Sequence, residues 1–273
     1  MSLLSQDGLD RLVAETRQAH AVPGVSVAVV AGDRTLLAAD GVQDVATGVP
    51  VSTDTAFEIR SVSKLFTAAL AMMLHDQGLV GLDDPVAAVL AQGGHGLQAA
   101  HGAISLAHLL SHSSGLEADY LAEAEDANAV AAFVERSAAL PLLFAAGRTY
   151  SYSNIGTVWA GRMVEILTGL SWYQALHQHI AAPLDLPTLG VFPYGSSTTP
   201  HIAVGHVVDA AGRWGHVEQG RELGLAAQAA TAVAATTMPA MIQTQWRPCL
   251  SVPVTKGRRR VRPMRRSMST SAY

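Results

Sequence analysis

Ser61 precedes Lys64 by three residues in Arg60-Ser61-Val62-Ser63-Lys64, an S-x-x-K spacing. If Ser61 opens a helix, Lys64 lies one turn later on the same face. An amine there can reach the hydroxyl and accept its proton, provided it is held partly neutral. Desolvation, the positive helix end and a neighbouring cation or phenol all bias it that way. A second constellation, Tyr152-Ser153-Asn154, follows the loop Gly147-Arg148-Thr149-Tyr150-Ser151. A tyrosine on such a loop can act as phenolate base or hydrogen-bond partner beside a lysine. An asparagine two residues on points to the same side of an extended segment, where it can bind a substrate carbonyl or amide. Taken singly, each has a plainer account: an exposed lysine at a helix start, a packing tyrosine, an asparagine helix cap.

Eleven histidines raise the question of a metal centre. His108 and His112 are spaced i, i+4, and His177 lies close to His179. No acidic third ligand at a known spacing accompanies either pair and no H-E-x-x-H occurs, so no metal is expected. Neither a G-x-x-x-x-G-K-[ST] nor a G-x-G-x-x-G run is present, and no nucleotide or other cofactor is expected.

The elements that must carry these residues read as follows. Ser5 to His20 forms a helix capped by Ser5, with Leu9, Leu12, Val13 and Thr16 on one face. Val22-Pro23-Gly24 breaks it. Val25–Ala31 and Arg34–Ala39 flank Gly32-Asp33 as a β-hairpin, continued by Gly41–Val45. Phe57 to Gly78 has helical period, ending at Gly78. Helices follow at Ile104–Ser111, at Asn128–Ala139 with Asp126 as cap, and at Asn154–Leu167 before Gly169. Another spans Trp172–Ile180, capped by Ser171 and closed by Pro183. Short strands around a long helical middle make an α+β protein with a helical part inserted into a sheet-bearing part.

Composition divides the 273 residues unevenly. At 49% hydrophobic and a mean hydropathy of +0.23, most of the chain is far from the composition of a disordered one. The net charge of −4 averages an acidic body, −12 over residues 1–246, with a basic end, +8 over residues 247–273. An acidic body argues against nucleic acid as a partner. One cysteine, Cys249, excludes an internal disulfide, and the N-terminal stretch has no signal-peptide pattern; a cytoplasmic location is expected. After Glu222, the last acid, an Ala/Thr-rich stretch without helical or strand period leads into Gly257-Arg258-Arg259-Arg260. Residues 223–273 are therefore expected to be a flexible basic tail, or a segment never selected to fold, as when a GC-rich gene is read in a shifted frame. Leu223–Trp246 holds no Asp, Glu, Lys or Arg, but its glutamines, threonines and Pro239 fit a membrane span poorly. A membrane association is not expected, a tail-anchored form being the alternative.

Phe57-Glu58-Ile59-Arg60-Ser61-Val62-Ser63-Lys64-Leu65-Phe66-Thr67-Ala68 resembles the nucleophile segment of the β-lactamase-related serine hydrolases. That family holds class C β-lactamases, D-Ala-D-Ala carboxypeptidases, D-aminopeptidases and similar carboxylesterases. Leu109-Leu110-Ser111-His112-Ser113-Ser114-Gly115-Leu116 resembles its helix-to-loop segment. Tyr152-Ser153-Asn154-Ile155-Gly156 resembles its Y-x-N motif, and Val22–Val30 its first strand. Four segments in family order cover about residues 5–222, an incomplete domain. The resemblance implies a β-lactamase/transpeptidase-like fold, an antiparallel sheet flanked by helices plus a helical subdomain, with the C-terminal strands missing. It implies Ser61 as the acylated nucleophile, with Lys64 and Tyr152 activating it and moving its proton. Asn154 would hold substrate, and the Ser61 backbone N–H would give half the oxyanion hole; the second donor is unassigned. His112 and Gly115 match a structural segment and are given no chemistry. The substrate would be a small ester, amide or lactam of carboxylesterase, D-amino peptide or β-lactam type. The family's third motif, Lys or His, a small residue, then Gly, has no good match. Thr255-Lys256-Gly257 has the letters in the wrong order, and Trp214-Gly215-His216-Val217 lacks the final glycine. A truncated, catalytically impaired relative is the alternative.

Overall fold

In a computed structural model, residues 5–118, 129–187, 189–191, 202–216 and 231–234 are described. Helix α1 (Gln6–Ala19) begins where the Ser5 hydroxyl oxygen accepts the Gly8 amide at 3.1 Å. Its buried Leu9 and Val13 lie on an antiparallel hairpin of β1 (Gly24–Ala31) and β2 (Arg34–Gly41). Val25, Val27, Val29, Leu36 and Ala38 complete this small cluster, and Arg17 pairs with Asp40 at its edge. The continuation expected to Val45 does not form. Gly41 takes φ +89, and beyond it only Val42 bridges to Pro50.

The span expected as one helix from Phe57 to Gly78 is three elements. β3 (Ala56–Glu58) comes first, then a 3-10 turn at Arg60–Val62, then α2 (Ser63–Asp76). Phe57 and Glu58 pair with Val233 and Ala232, a partnership far along the chain that no local periodicity signals. Their partner, β7 (Thr231–Ala234), is antiparallel also to β4 (Gly190–Val191), in the order β3-β7-β4. β7 lies where the pattern after Glu222 predicts no strand; four residues of alternating Thr/Val and Ala are too short a run to stand out. The rest of Leu223–Trp246 and the whole basic end, with Cys249 and Thr255-Lys256-Gly257, fall outside the described residues. A further hairpin, β5 (His206–Val208) with β6 (Trp214–His216), was not foreseen from the pattern. Asp209 closes its turn by accepting the Ala211 and Arg213 amides, each at 2.9 Å.

The body is helical: α3 (Val86–Leu90), α4 (Leu106–Leu110), α5 (Ala129–Ser137), α6 (Asn154–Thr168) and α7 (Trp172–Leu176). α6 is the axis of the core, with Ile155, Val158, Trp159, Ala160 and Val164 wholly inaccessible to water. α2, α3, α4, α5 and α7 pack around it. Two buried indoles find partners across helices. Trp159 donates to the Ser137 hydroxyl at 2.8 Å, and Trp172 to the Thr67 hydroxyl at 3.1 Å. α6 ends at Gly169 in the left-handed region (φ +74), where the sequence places its stop. The helix expected over Trp172–Ile180 is one α turn to Leu176 followed by a π turn, His177–Ala181. α4 is shorter than expected and is capped by Ser105; Asp126, expected to cap α5, lies outside the described residues. The architecture is α+β, with antiparallel pairing in every named strand, as the resemblance to the β-lactamase-related family implies. Among the described residues no helix is long and apolar enough to cross a membrane.

Candidate active site

Ser61 occupies the middle of the 3-10 turn that runs into α2. In such a turn residues i and i+3 nearly eclipse, which returns the Lys64 side chain over Ser61. Lys64 Nζ donates to Ser61 Oγ at 3.1 Å. From the other side Tyr152 OH donates to the same oxygen at 2.8 Å. Lys64 Nζ also stands 5.0 Å from the centre of the Tyr152 ring, within cation–π range. Two residues distant in sequence meet because α2 and α6 share one core. α2 buries Phe66, Leu70 and Leu74 there, and Tyr152 immediately precedes Ser153, the cap of α6. Just before the nucleophile, Arg60 takes φ +48, unusual for a side chain of its size. Its guanidinium bonds Glu58 at 3.1 Å.

Asn154 is the first residue of α6, and its amide donates to Ala118 O at 3.1 Å. The cap of α6 is Ser153, not Asn154: its hydroxyl accepts the Gly156 amide at 3.1 Å and donates to Glu117 O at 2.8 Å. A capping account of Asn154 therefore fails, and its side chain remains a candidate for substrate.

The segment around His112 lies alongside the Tyr152 loop. Ser151 N–H donates to His112 O, Gly147 N–H to Ser113 O and Leu143 N–H to Gly115 O, each at 2.8 Å. Gly115 is required in this strip. It takes φ +80, and a Cβ there would stand 2.1 Å from Phe144 O. The His112 ring stacks on Tyr152 with centres 4.6 Å apart, and its Nδ1 accepts the Ser153 amide at 3.2 Å. Burial, and then the nearby Lys64 charge, hold its pKa below the usual imidazole value. Sequence spacing gave no reason to link His112 to Tyr152; only the paired loops bring them together. His108, four residues earlier, is held by its own helix cap, its Nδ1 accepting the Ser105 amide at 3.2 Å. Val62 and Leu65, next in sequence to Ser61 and Lys64, are largely exposed, as is Tyr150, two residues before Tyr152. Of the two approximations to a third motif, Trp214-Gly215-His216 forms β6.

Comparison with known proteins places the chain among relatives of known fold. The chain is 40% identical over 174 residues to penicillin-binding protein 4 of Amycolatopsis lactamdurans, covering 62% of this chain and 45% of that protein. It is 31% identical over 159 residues to the monacolin J acid methylbutanoyltransferase of Aspergillus terreus, covering 50% of this chain and 38% of the relative. The crystal structure of SurE superposes with a TM-score of 0.75 at 28% identity, over 86% of this chain and 52% of that one. The chain thus spans about half the length of these relatives, or less. The family model described as Beta-lactamase matches residues 9–262, which takes in Ser61, Lys64, Tyr152 and strand β7. On that span, and on a fold shared with solved members, the chain belongs to the β-lactamase family.

Proposed function

We propose that this chain forms an acyl-enzyme on Ser61 and hydrolyses a small ester or amide. The observation that carries this reading is the pair of hydrogen bonds that Lys64 and Tyr152 make to Ser61 Oγ. As the hydroxyl attacks a carbonyl carbon, its proton passes to the Lys64–Tyr152 pair, and the new Oγ–C bond gives a tetrahedral oxyanion. The Ser61 N–H supplies one donor to that oxyanion. Collapse breaks the bond to the leaving alcohol or amine, which takes the proton back. Water then attacks the acyl-enzyme by the same route in reverse, releasing the acid and restoring Ser61. Asn154, at the start of α6, holds the substrate carbonyl or amide beside the nucleophile. An apolar acyl group fits the exposed Val62 and Leu65 that adjoin Ser61 and Lys64 in sequence, in keeping with a relative named for methylbutanoyl transfer.

A fluorophosphonate probe with mass spectrometry tests the nucleophile. Labelling at Ser61, absent in Ser61→Ala, supports the reading; no labelling, or labelling elsewhere, overturns it. p-Nitrophenyl hexanoate should be turned over faster than the acetate if the substrate's acyl group is apolar.

A second reading, an impaired catalyst, is favoured by the lack of a Lys/His-x-Gly triplet after Asn154. That triplet's strand carries the second oxyanion donor in the family, and one lost donor costs roughly 10²–10³ in turnover. Turnover far below ~10 s⁻¹ with Ser61 still labelled would mark this case.

A further inference from the structure

Tyr152 is well placed but weakly held by what surrounds its phenol. It is more than one-third exposed, and it stands on a loop residue ahead of α6. Its oxygen meets Ser61 Oγ at 2.8 Å, and a displacement of about 1 Å can cost an enzyme on the order of a hundredfold. Something must restrain the ring.

His112 contacts this strip at three points. Its ring lies against the Tyr152 ring, centres 4.6 Å apart and planes 35° apart. Its Nδ1 accepts the amide of Ser153, the next residue. Its carbonyl accepts the amide of Ser151, the residue before. Tyr150 stands edge-on to the same imidazole at 6.0 Å, so the ring is flanked by two phenols. The backbone adopts φ +55 at His112 to bring this about, a left-handed conformation that a residue outside glycine takes at a cost. An unfavourable backbone kept at the edge of a site points to a role for the side chain it aims. With Nδ1 accepting an amide, the imidazole is neutral and carries its proton on Nε2.

We propose that His112 is a positioning residue for Tyr152, holding the phenol oxygen over Ser61 through ring contact and through the Ser153 amide. It touches no substrate and moves no proton. The proposal rests on the acyl-enzyme reading for its consequence, not for its geometry. Neutral His112 is what the role requires: protonation of Nδ1 would expel the Ser153 amide and set a positive charge beside Lys64.

Two variants separate the two contacts. His112→Asn keeps an acceptor near the Nδ1 position and tolerates the left-handed backbone, but removes the ring. His112→Phe keeps a ring and removes the acceptor. Both should label with a fluorophosphonate about tenfold more slowly than the unmodified chain. Melting temperature should stay within ~4 °C for the asparagine variant, which decides the matter if the phenylalanine variant does not fold. With ¹³C-tyrosine, the Tyr152 ring signal, assigned by its loss in Tyr152→Phe, should broaden or shift in His112→Asn. The indole N–H signals of Trp159 and Trp172 should stay in place. Labelling within twofold of the unmodified chain, or indole signals that move together with Tyr152, would overturn the proposal. If the unmodified chain does not label at Ser61, the acyl-enzyme reading falls, and the tyrosine signal alone decides the role of His112.

Discussion

The helical body and the N-terminal hairpin differ in how completely they are packed. Around α6 the core is continuous, from Phe66 and Leu74 on α2 through Phe133 on α5 to Trp172 on α7, and its buried indoles are hydrogen-bonded. In the α1–β1–β2 layer only Leu9, Val13 and Ala38 are buried, and every β1 residue from Gly24 to Val30 stays half-exposed. A two-stranded ribbon has little stability of its own, and here α1 on one face supplies most of it. Ser61, Lys64 and Tyr152 all hang from the well-packed half. The site can therefore keep its geometry while the hairpin layer fluctuates, and chemistry and stability can be perturbed separately.

Lys64→Met gives the largest separation. Lys64 is half-buried at the first turn of α2, so a methionine of similar length should barely move the unfolding midpoint. Labelling of Ser61 should fall by ~10²–10⁴-fold, the usual range for a lost acid–base partner. A midpoint that falls along with the labelling would mean that Lys64 holds the helix start together, and that site and frame are not separable. Next come matched truncations in the two halves. Leu74→Ala, wholly inside the core, should cost about 3 kcal/mol in urea unfolding. Leu36→Ala, half in water on β2, should cost about 1 kcal/mol. Equal costs would erase the contrast between the halves.

The same contrast explains what could be read in the sequence. α6 was predicted over Asn154–Leu167 and is found over Asn154–Thr168, because Ser153, the apolar period and Gly169 are all local signals. The hairpin was legible from the Gly32-Asp33 turn. Ser61, Lys64 and Tyr152 were named from two short motifs, and the resemblance to a family tied them together. What escaped depends on distant partners. β3 is a strand because Phe57 meets Val233, and the start of the supposed helix was misread for that reason. His112 escaped because its link to Tyr152 runs through pairing of two loops, with nothing in the spacing to announce it.

Acid should weaken the helical body before the hairpin. His101 and His179 are buried in that body, His95 lies at its edge, and burial lowers the pKa of each below the usual ~6.5. Arg162 adds to the effect at His95, where its Nε–H donates to Nε2 at 2.9 Å. A group with a lowered folded pKa favours the folded state fully above its unfolded pKa. The unfolded chain takes up protons first as the pH falls, so stability is lost from about pH 6.5 downward, through the lowered folded values. The urea midpoint should therefore drop between pH 7.5 and 5.0. In His179→Leu the drop should be shallower, since Nε2 of His179 is buried without a partner. A midpoint flat over this range would show that these histidines titrate alike in both states.

The smallest effect is expected at Arg60, where three modest terms nearly cancel. Holding a non-glycine residue at φ +48 costs roughly 1 kcal/mol, which Arg60→Gly would recover. Glycine gives back a similar amount, roughly 0.5–1 kcal/mol, through the extra freedom of the unfolded chain. The Glu58 pair is also lost, but the arginine side chain is 69% exposed and such surface pairs contribute little. The net change in stability should lie within about 0.5 kcal/mol, or a couple of degrees in melting temperature. A rise of several degrees would mean that the backbone before Ser61 stores more strain than the ordinary left-handed cost, held there by the pairing of β3 with β7. A fall of that size would mean instead that the exposed Glu58–Arg60 pair fixes the turn from which Ser61 projects.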